Sequence, residues 1–478
     1  MRLLILFVLV IISCASTSFA QSQHKADYRG TNFWVAFPEN AKSENGSIPK
    51  LSIVAIGDKG TNVRFVLPSK TKSGQIGSDR FIECIVDTGF QVLGDESISA
   101  KGILVVADHI VSVYVFDRRQ ASSDSYSAIP TNELGKEYIV AGFDPLFGPG
   151  IIFSTQCDVI ATENDTHVHI TSRIGEVPNS WDVSLKRGEV YQLRTHTGVE
   201  SHDLTGTRVS SNNPVAFLTG HQCAQVPAEV SFCDILLEQE PSIDNFGTDF
   251  IAPKIQLKDR YSIRIVATED NTGVSINSVL VKTLSNGSSY TNDTLTKSAL
   301  IKTSKPVLVC EYGQSSDADA SKVGDPFMFV LAPTPNFIRE CSLFVPYSQL
   351  FTNNDSLIES DGLTRRYLRR ESPTPVPLIQ SAPPESEDHG WKHFVTIVTE
   401  SANADTFTFD GRQLAPITVE SISGTNYKVL QFSVSGGPHR ITSSTPFALY
   451  AYGFGMNENN YDSYGHTAGQ MLNLLSEP

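Results

Sequence analysis

Two stretches of this chain are near twins, "VIATENDTHVHIT" at residues 159–171 and "VATEDNTGVSINS" at 266–278. Each reads as strand, tight turn, strand. Around Glu269, Asp270 and Asn271 the side chains cap and tolerate a turn. Val274 and Ile276 then alternate with Gly273, Ser275 and Asn277, the pattern of a half-buried strand. The acidic pair is therefore expected in a hairpin turn, where it serves the turn and not acid–base chemistry. The twins belong to a longer period. "GTNFWVAF", "GKEYIVAGF" and "GTDFIAP" open units at Gly30, Gly135 and Gly247. "SSNNPVAFLTG" (210–220), "KTSKPVLVCEYG" (302–313) and "TSSTPFALYAYG" (442–453) close them, with "ADHIVSVYVFD" (107–117) as a first counterpart without the proline. Four related units follow, over about 30–120, 135–220, 247–313 and 391–453. A period this long indicates repeated domains or blades and not a thin solenoid.

Only 19% of the residues are charged, while 33 glycines and 25 prolines punctuate the chain. That balance favours short strands and tight turns over long helices. The expected fold is all-β, four β-sandwich-like units packed into one body; a β-propeller-like arrangement is the alternative. Proline in the closing phrase belongs at a strand's start, where a missing N–H is tolerated. "SLKRGEVYQL" (184–193) reads as a hairpin through a Lys-Arg-Gly turn. "TNELGK" (131–136) is the best helix candidate. Residues 371–388, inside "RRYLRRESPTPVPLIQSAPPESED", read as a Pro-rich extended linker.

The first twenty residues, "MRLLILFVLVIISCASTSFA", have the layout of a secretory signal peptide, with Ser18-Phe19-Ala20 as the cut site. The rival reading is a lipoprotein signal ending at Cys14, which would make the chain a bacterial surface lipoprotein adhesin. No later stretch is apolar over the length of a membrane span. The expected location is secreted and extracellular. A net charge of −15 argues against nucleic acid as a partner. Six cysteines remain after either cut: Cys84, Cys157, Cys223, Cys233, Cys310 and Cys341. An even number in an exported chain suggests disulfides. Cys223 and Cys233 close the short loop "CAQVPAEVSFC" and are the expected pair, against the alternative of two buried thiols. Sequons at Asn45, Asn164, Asn286, Asn292 and Asn354 allow glycosylation, with Asn286 and Asn292 in the most polar stretch.

Few constellations carry chemistry. His167 and His169 share one strand face but lack a third metal ligand nearby. His221, Cys223, Cys233 and Asp234 imitate a zinc site, yet thiolates outside the cytosol favour disulfides. No nucleophile elbow, phosphate loop or zinc-protease helix occurs. Trp34 and Trp391 lie in or beside apolar runs, as core residues do, while Trp181 offers a ring that could stack on sugars. No catalytic residue, metal or cofactor is expected. A secreted carbohydrate-active hydrolase, using a carboxylate pair the sequence does not single out, is the alternative.

In order along the chain, "GTNFWVAF", "AIPTNELGKEYIV", "RGEVYQL", "DLTGTRVSSNNPVAFLTGHQCAQVP", "CDILLEQEPSIDNFGTDFIAP", "DRYSIRIVATEDNTGVSIN" and "YGFG…DSYGHTAG" match one pattern. The chain resembles the IgGFc-binding protein N-terminal domain family, found in secreted animal proteins and some bacterial surface proteins. The run at 220–241 is the most specific part. The resemblance implies a non-enzymatic extracellular binding or adhesion module. Its partner would be a protein or glycoprotein, with immunoglobulin G Fc and mucin as the first to consider. It also implies Cys223 and Cys233 as a structural pair.

Overall fold

A computed structural model describes residues 27–41, 50–119, 121–148, 151–172, 179–194, 203–318, 320–347, 390–401, 406–456 and 462–472. The expected signal peptide, the linker 371–388, Asn45 and Asn354 lie outside the described residues. The fold is all-β. Among the described residues no helix reaches seven residues.

One long strand organises each repeat. It is Ile103–Arg119 in the first, Ala299–Gly313 in the third and Gly437–Gly455 in the fourth. In the second it is broken into Arg208–Ser211 and Val215–Ala224, which lie in two separate sheets. The break marks a corner present in every repeat. On one edge the register steps from Gly30↔Val111 to Asn32↔Val106, from Gly247↔Val307 to Asp249↔Lys302, and from Ile338↔Phe447 to Glu340↔Thr442. Two residues of the short strand thus oppose five of the long one, a bulge that turns the chain from one layer into the other. In the second repeat Val215 donates to the carbonyl of Gly135 while Ser210 pairs with Glu137, the same step.

The twins lie on the opposite edge of this corner. Ala161 pairs with Val215 and Val168 with Ser211; Ala267 pairs with Val307 and Val274 with Thr303. The strands flanking each turn run in one direction along the same long strand, so they are not hairpins as their local pattern suggested. Each turn is the corner of the sandwich. Its residues follow from that task. Thr162 and Thr268 donate to the carbonyls of Pro214 and Pro306, and Thr166 and Thr272 to those of Glu163 and Glu269. Asp165 (φ 54°) and Asn271 (φ 56°) adopt the left-handed backbone that short polar side chains tolerate, at the place where the first repeat has Gly60 (φ 97°).

Three further expectations change for the same non-local reason. Pro306 and Pro446 lie inside continuous strands, at the corner, where bulging frees the position from ladder bonding. "SLKRGEVYQL" joins Asn179–Leu185 in one sheet to Val190–Arg194 in another and is not a hairpin. The outer edge of Val190–Arg194 is instead covered by Ser97–Ser99 from the first repeat. "TNELGK" forms one 3-10 turn, Thr131–Glu133. Related turns, Ile243–Asn245 and Thr334–Asn336, lead into the third and fourth repeats. The opening glycines make room for these connections. A Cβ on Gly30, Gly135 or Gly247 would lie 2.6, 2.2 or 2.4 Å from the Cβ of Pro130, Ser242 or Pro333.

The repeats close into a ring. One apolar cluster joins the first to the second repeat, with Val105 and Tyr126 beside Ala216 and Leu237. Another joins second to third (Ala141 and Val226 with Leu308 and Met328), and another third to fourth (Ile265 and Phe329 with Tyr450 and Val429). The last joins fourth to first, through Phe344 and Trp391 with Phe81 and Phe116. Trp34 and Trp391 are both buried.

Each repeat ends in a short strand paired to the long one: Ser122–Ser127, Asp234–Gln239, Phe327–Val330 and Ser463–Thr467. These four strands pack on one another along the ring's axis. The pairs Phe116↔Ser125, Gly220↔Leu237, Tyr312↔Met328 and Tyr452↔Gly465 place four equivalent residues in identical register, each five residues beyond the corner. All four backbone amides converge on the Asp124 carboxyl group, which Leu237 reaches at 2.9 Å and Gly465 at 3.0 Å. Burial pushes the Asp124 pKa up, and the four amides act in the opposite sense.

An orphaned buried donor costs about 1–3 kcal/mol. Replacing Asp124 by Ala orphans amides from four strands at once, with partial relief from backbone relaxation. Asp124→Ala is expected to lower unfolding stability by about 3–5 kcal/mol in denaturant titration. Asp124→Asn, which keeps one acceptor oxygen, should lose less. Wild-type stability in Asp124→Ala would contradict the keystone role.

Candidate functional site

One exposed feature on a rigid base is the loop between Val215–Ala224 and Asp234–Gln239. Its ends are buried strands in the second repeat, and it carries the sequence run singled out above as most specific. Cys223 and Cys233 are joined as a disulfide with their Cα atoms 5.0 Å apart. A third-repeat residue clamps the loop from the other side. Ser315 donates its N–H to Val226 O (2.7 Å) and its hydroxyl to Phe232 O (2.8 Å), while Val226 N–H donates to Ser315 Oγ (3.2 Å).

Between these fixings the tip residues Ala228, Glu229, Ser231 and Phe232 face solvent. Glu229 (φ 71°) and Phe232 (φ 69°) both hold left-handed backbone, which costs about 1–2 kcal/mol for each non-glycine residue. The opposing terms are larger. A disulfide closing so short a loop contributes about 2–3 kcal/mol, and three hydrogen bonds add about 1 kcal/mol each. The loop is therefore a strained conformation held by its surroundings, a pattern that concentrates at binding and catalytic sites. It presents the ring of Phe232, 43% exposed.

The joint beneath the loop is a buried cation. The Arg264 guanidinium donates to Gly142 O (2.8 Å), Thr205 Oγ1 (3.2 Å), Asp144 Oδ1 (3.2 Å), Thr291 Oγ1 (3.0 Å) and the Asp203 carboxylate, and stacks over the Phe143 ring. Burial opposes the Arg264 charge, but Asp203, Tyr312 and Asp144 outweigh it and raise the pKa. For Asp144 burial wins over Arg264 and raises the carboxyl pKa. Arg264 is thus the fixed charge of the second–third repeat contact. Phe147, 44% exposed, lies on the small hairpin Leu146–Gly148 / Ile151–Phe153 that follows this joint.

The other sequence candidates fall elsewhere. His167 and His169 are exposed, facing Ser184 Oγ (3.0 Å) and Asp182 Oδ1 (2.8 Å). His221 is buried; its Nδ1 accepts from Cys223 N–H, and burial lowers its pKa to about 3. Among the described residues no group of three or more His, Cys, Asp or Glu side chains could hold a metal ion. Trp181 donates to Tyr191 Oη. The even cysteine count pointed to several disulfides. Instead Cys84, Cys157, Cys310 and Cys341 are buried free thiols, and burial raises the pKa of each. Several acid groups with elevated pKa are interior as well, Asp144 and Glu133 being the partly exposed exceptions. Burial pushes the fully buried Asp158 and Glu240 up to about 8. A crevice lined by Ser52, Glu83, Phe116, Arg118, Phe344, Pro346 and Tyr347 has room for about one water molecule. Sequence reasoning did not find Ser315, Arg264 or the exposure of Phe232. The short Cys-to-Cys spacing around a proline was the one local signal.

Residues 124–453 match the family model described as IgGFc binding protein. The human protein named IgGFc-binding protein is 23% identical over 258 residues, covering 51% of this chain; the match spans 4% of that protein's length. Among solved structures, a Ca2+-stabilized adhesin that helps an Antarctic bacterium bind ice aligns over 93% of this chain and 98% of its own, at 11% identity. Its TM-score is 0.12, too low to bear on the fold.

Ser315→Ala removes two of the three clamping bonds and leaves the disulfide. Amide hydrogen exchange of residues 225–232 should quicken by about tenfold, with global stability lowered by about 1–2 kcal/mol. Unchanged exchange in the loop would show that Ser315 does not hold it.

Proposed function

The chain belongs to the IgGFc binding protein family, and on that premise we propose that it is an exported, non-enzymatic binding protein that engages a protein or glycoprotein through the Cys223–Cys233 loop. The observation that carries this reading is Phe232, an aromatic side chain displayed on a strained loop fixed at both ends. Rigid aromatic anchors dominate binding energy because they bury much area at little entropic cost. The ring of repeats supplies the scaffold, and loops on a rigid scaffold are where recognition is usually placed.

Export rests on the N-terminal leader, with the mature chain beginning near Gln21. The domain limits of about 30–120, 135–220, 247–313 and 391–453 are proposed as the repeat boundaries, with 371–388 as a linker before the last. Asn164, Asn286 and Asn292 are on or near the surface, where glycans fit without entering the core. N-linked sugar at these positions is expected, and a mass loss on enzymatic deglycosylation checks it.

Immunoglobulin G Fc is the first partner to test, since the human relative bears that name. Purified mature chain should retain Fc or whole IgG, and not Fab, in a pull-down that also includes mucin extract. Phe232→Ala should weaken capture by about tenfold or more, as for a central aromatic anchor. Retention of none of these partners, together with cleavage of a glycan substrate, would replace the binding role by a hydrolase. Full affinity in Phe232→Ala would move the site off this loop.

A further inference from the structure

Three residues before the four axial amides stand Ser122, Asp234, Asp325 and Asp462. The shared register makes them equivalent positions of the four repeats. Three of the four are aspartates, and all four are buried. Asp234 Oδ1 accepts from the Ile235 N–H at 2.7 Å, but Asp234 Oδ2 and Asp462 Oδ1 meet no hydrogen-bond donor. The groups facing them come from every repeat. The first brings Ser122, whose hydroxyl bonds Asn40 Oδ1, together with Ser123, Asp124 and Arg118. Arg118 Nη1 donates to Tyr347 O and its guanidinium stacks over Trp391. The third brings Asp325, with Lys258 donating to the neighbouring Gly324 carbonyl. The fourth adds Ser463, which donates to Asp325 O, and His466, which faces Ser125 Oγ.

Two buried carboxyl oxygens without donors cannot both rest beside ionised groups. One ion in a dry interior costs several kcal/mol, and two repel. A proton removes both penalties, because a carboxylic acid both donates and accepts. A metal would serve too, but the described residues contain no grouping that could hold one. We propose that a proton held on the buried Asp234 and Asp462 carboxyl groups locks the ring at its axis, so that the four repeats loosen when alkaline conditions remove it.

The electrostatics agree in direction. Burial, then Asp462 and Asp325, push Asp234 well up. Burial raises Asp462 to about 7 against Arg118 and Ser123. A carboxyl whose folded pKa exceeds its unfolded value of about 4 stabilises fully below pH 4 and loses that contribution as pH rises through the folded value. Asp158 and Glu240, raised to about 8, act in the same sense. His221 and His466 are both lowered to about 3 by burial and act oppositely, but only below pH 6.5. Between pH 6.5 and 9, then, the buried acids alone set the slope.

The test is thermal unfolding of the whole mature chain across that window. The wild-type Tm should fall by about 3–5 °C from pH 6.5 to 9. Asp234→Asn combined with Asp462→Asn should make that fall shallower; the remainder comes from the other buried acids whose pKa burial raises, Asp158, Glu240, Asp124, Glu238 and Glu311. If the double variant does not fold, the single variants decide by potentiometric titration: native Asp234→Asn or Asp462→Asn must release fewer protons than the native wild type between pH 6.5 and 9, and an unchanged release overturns the proposal. A Tm that is flat or rising with pH overturns the proposal, as does a folded double variant with the wild-type slope. So does a Tm raised by calcium and lowered by chelator, which would make the axis a cation site.

Discussion

Four backbone amides from four repeats meet at one side chain, Asp124. A carboxylate offers about four acceptor sites, and here all are used by N–H groups in equivalent register. The arrangement works only if the last strand of each repeat arrives at the axis at the same height. That requirement reaches back along each long strand. The amide in question lies opposite the residue five positions beyond the corner, so every corner must break at the same place. The corner in turn depends on two threonine hydroxyls and a left-handed residue in the twin phrases. A single polar contact at the centre thus disciplines features about 17 Å of strand away, counted at about 3.3 Å per residue.

The asymmetry of this contact matters as much as its symmetry. The residues at Asp124's position in the other repeats are Leu236, Phe327 and Tyr464, one residue before Leu237, Met328 and Gly465. Four aspartates there would have crowded four charges onto the axis, and none would have left four amides orphaned. Duplication produced the backbone symmetry, and divergence left one acceptor in the middle. One layer away the balance is reversed: three aspartates and Ser122 occupy equivalent sites. Buried acids in this molecule are consequences of closing a ring of strands whose ends must bond to something.

Much of the architecture was legible in the sequence, because repetition is a global signal written in local phrases. The four units, the absence of long helices, the surface histidines and the core tryptophans all follow from pattern and residue type. What stayed hidden is pairing. "ATEDNT" is a turn in any setting, but whether its flanking strands bond to each other or to a third strand is decided some 40 residues downstream, at Pro306. Likewise "KRGEVYQL" has hairpin chemistry and links two layers instead. Asp124 gave no local sign at all, since "SSDSYS" resembles a solvent loop until three distant strands cover it. The free thiols were misjudged for a related reason: cysteine parity says nothing of burial, and Cys84, Cys157, Cys310 and Cys341 sit in separate strands as small apolar residues.

In a protein built by repetition, the residues that recur are the ones each copy needs in order to fold. Threonines at the corner, glycines under the connecting turns and apolar closing strands recur here, and each has a structural task. Function is more naturally sought in what one repeat has and the others lack. Among the described residues, Cys223 and Cys233, the Phe232 tip and the paired strands Leu146–Gly148 and Ile151–Phe153 have no counterparts in the other repeats, and they lie around one contact between the second and third. Ser315 and Arg264, which support that contact, are third-repeat residues reaching across it. A fold held by its own symmetry can carry one strained, displayed loop at small cost, so the departure from symmetry is the place where the proposed binding role is best tested.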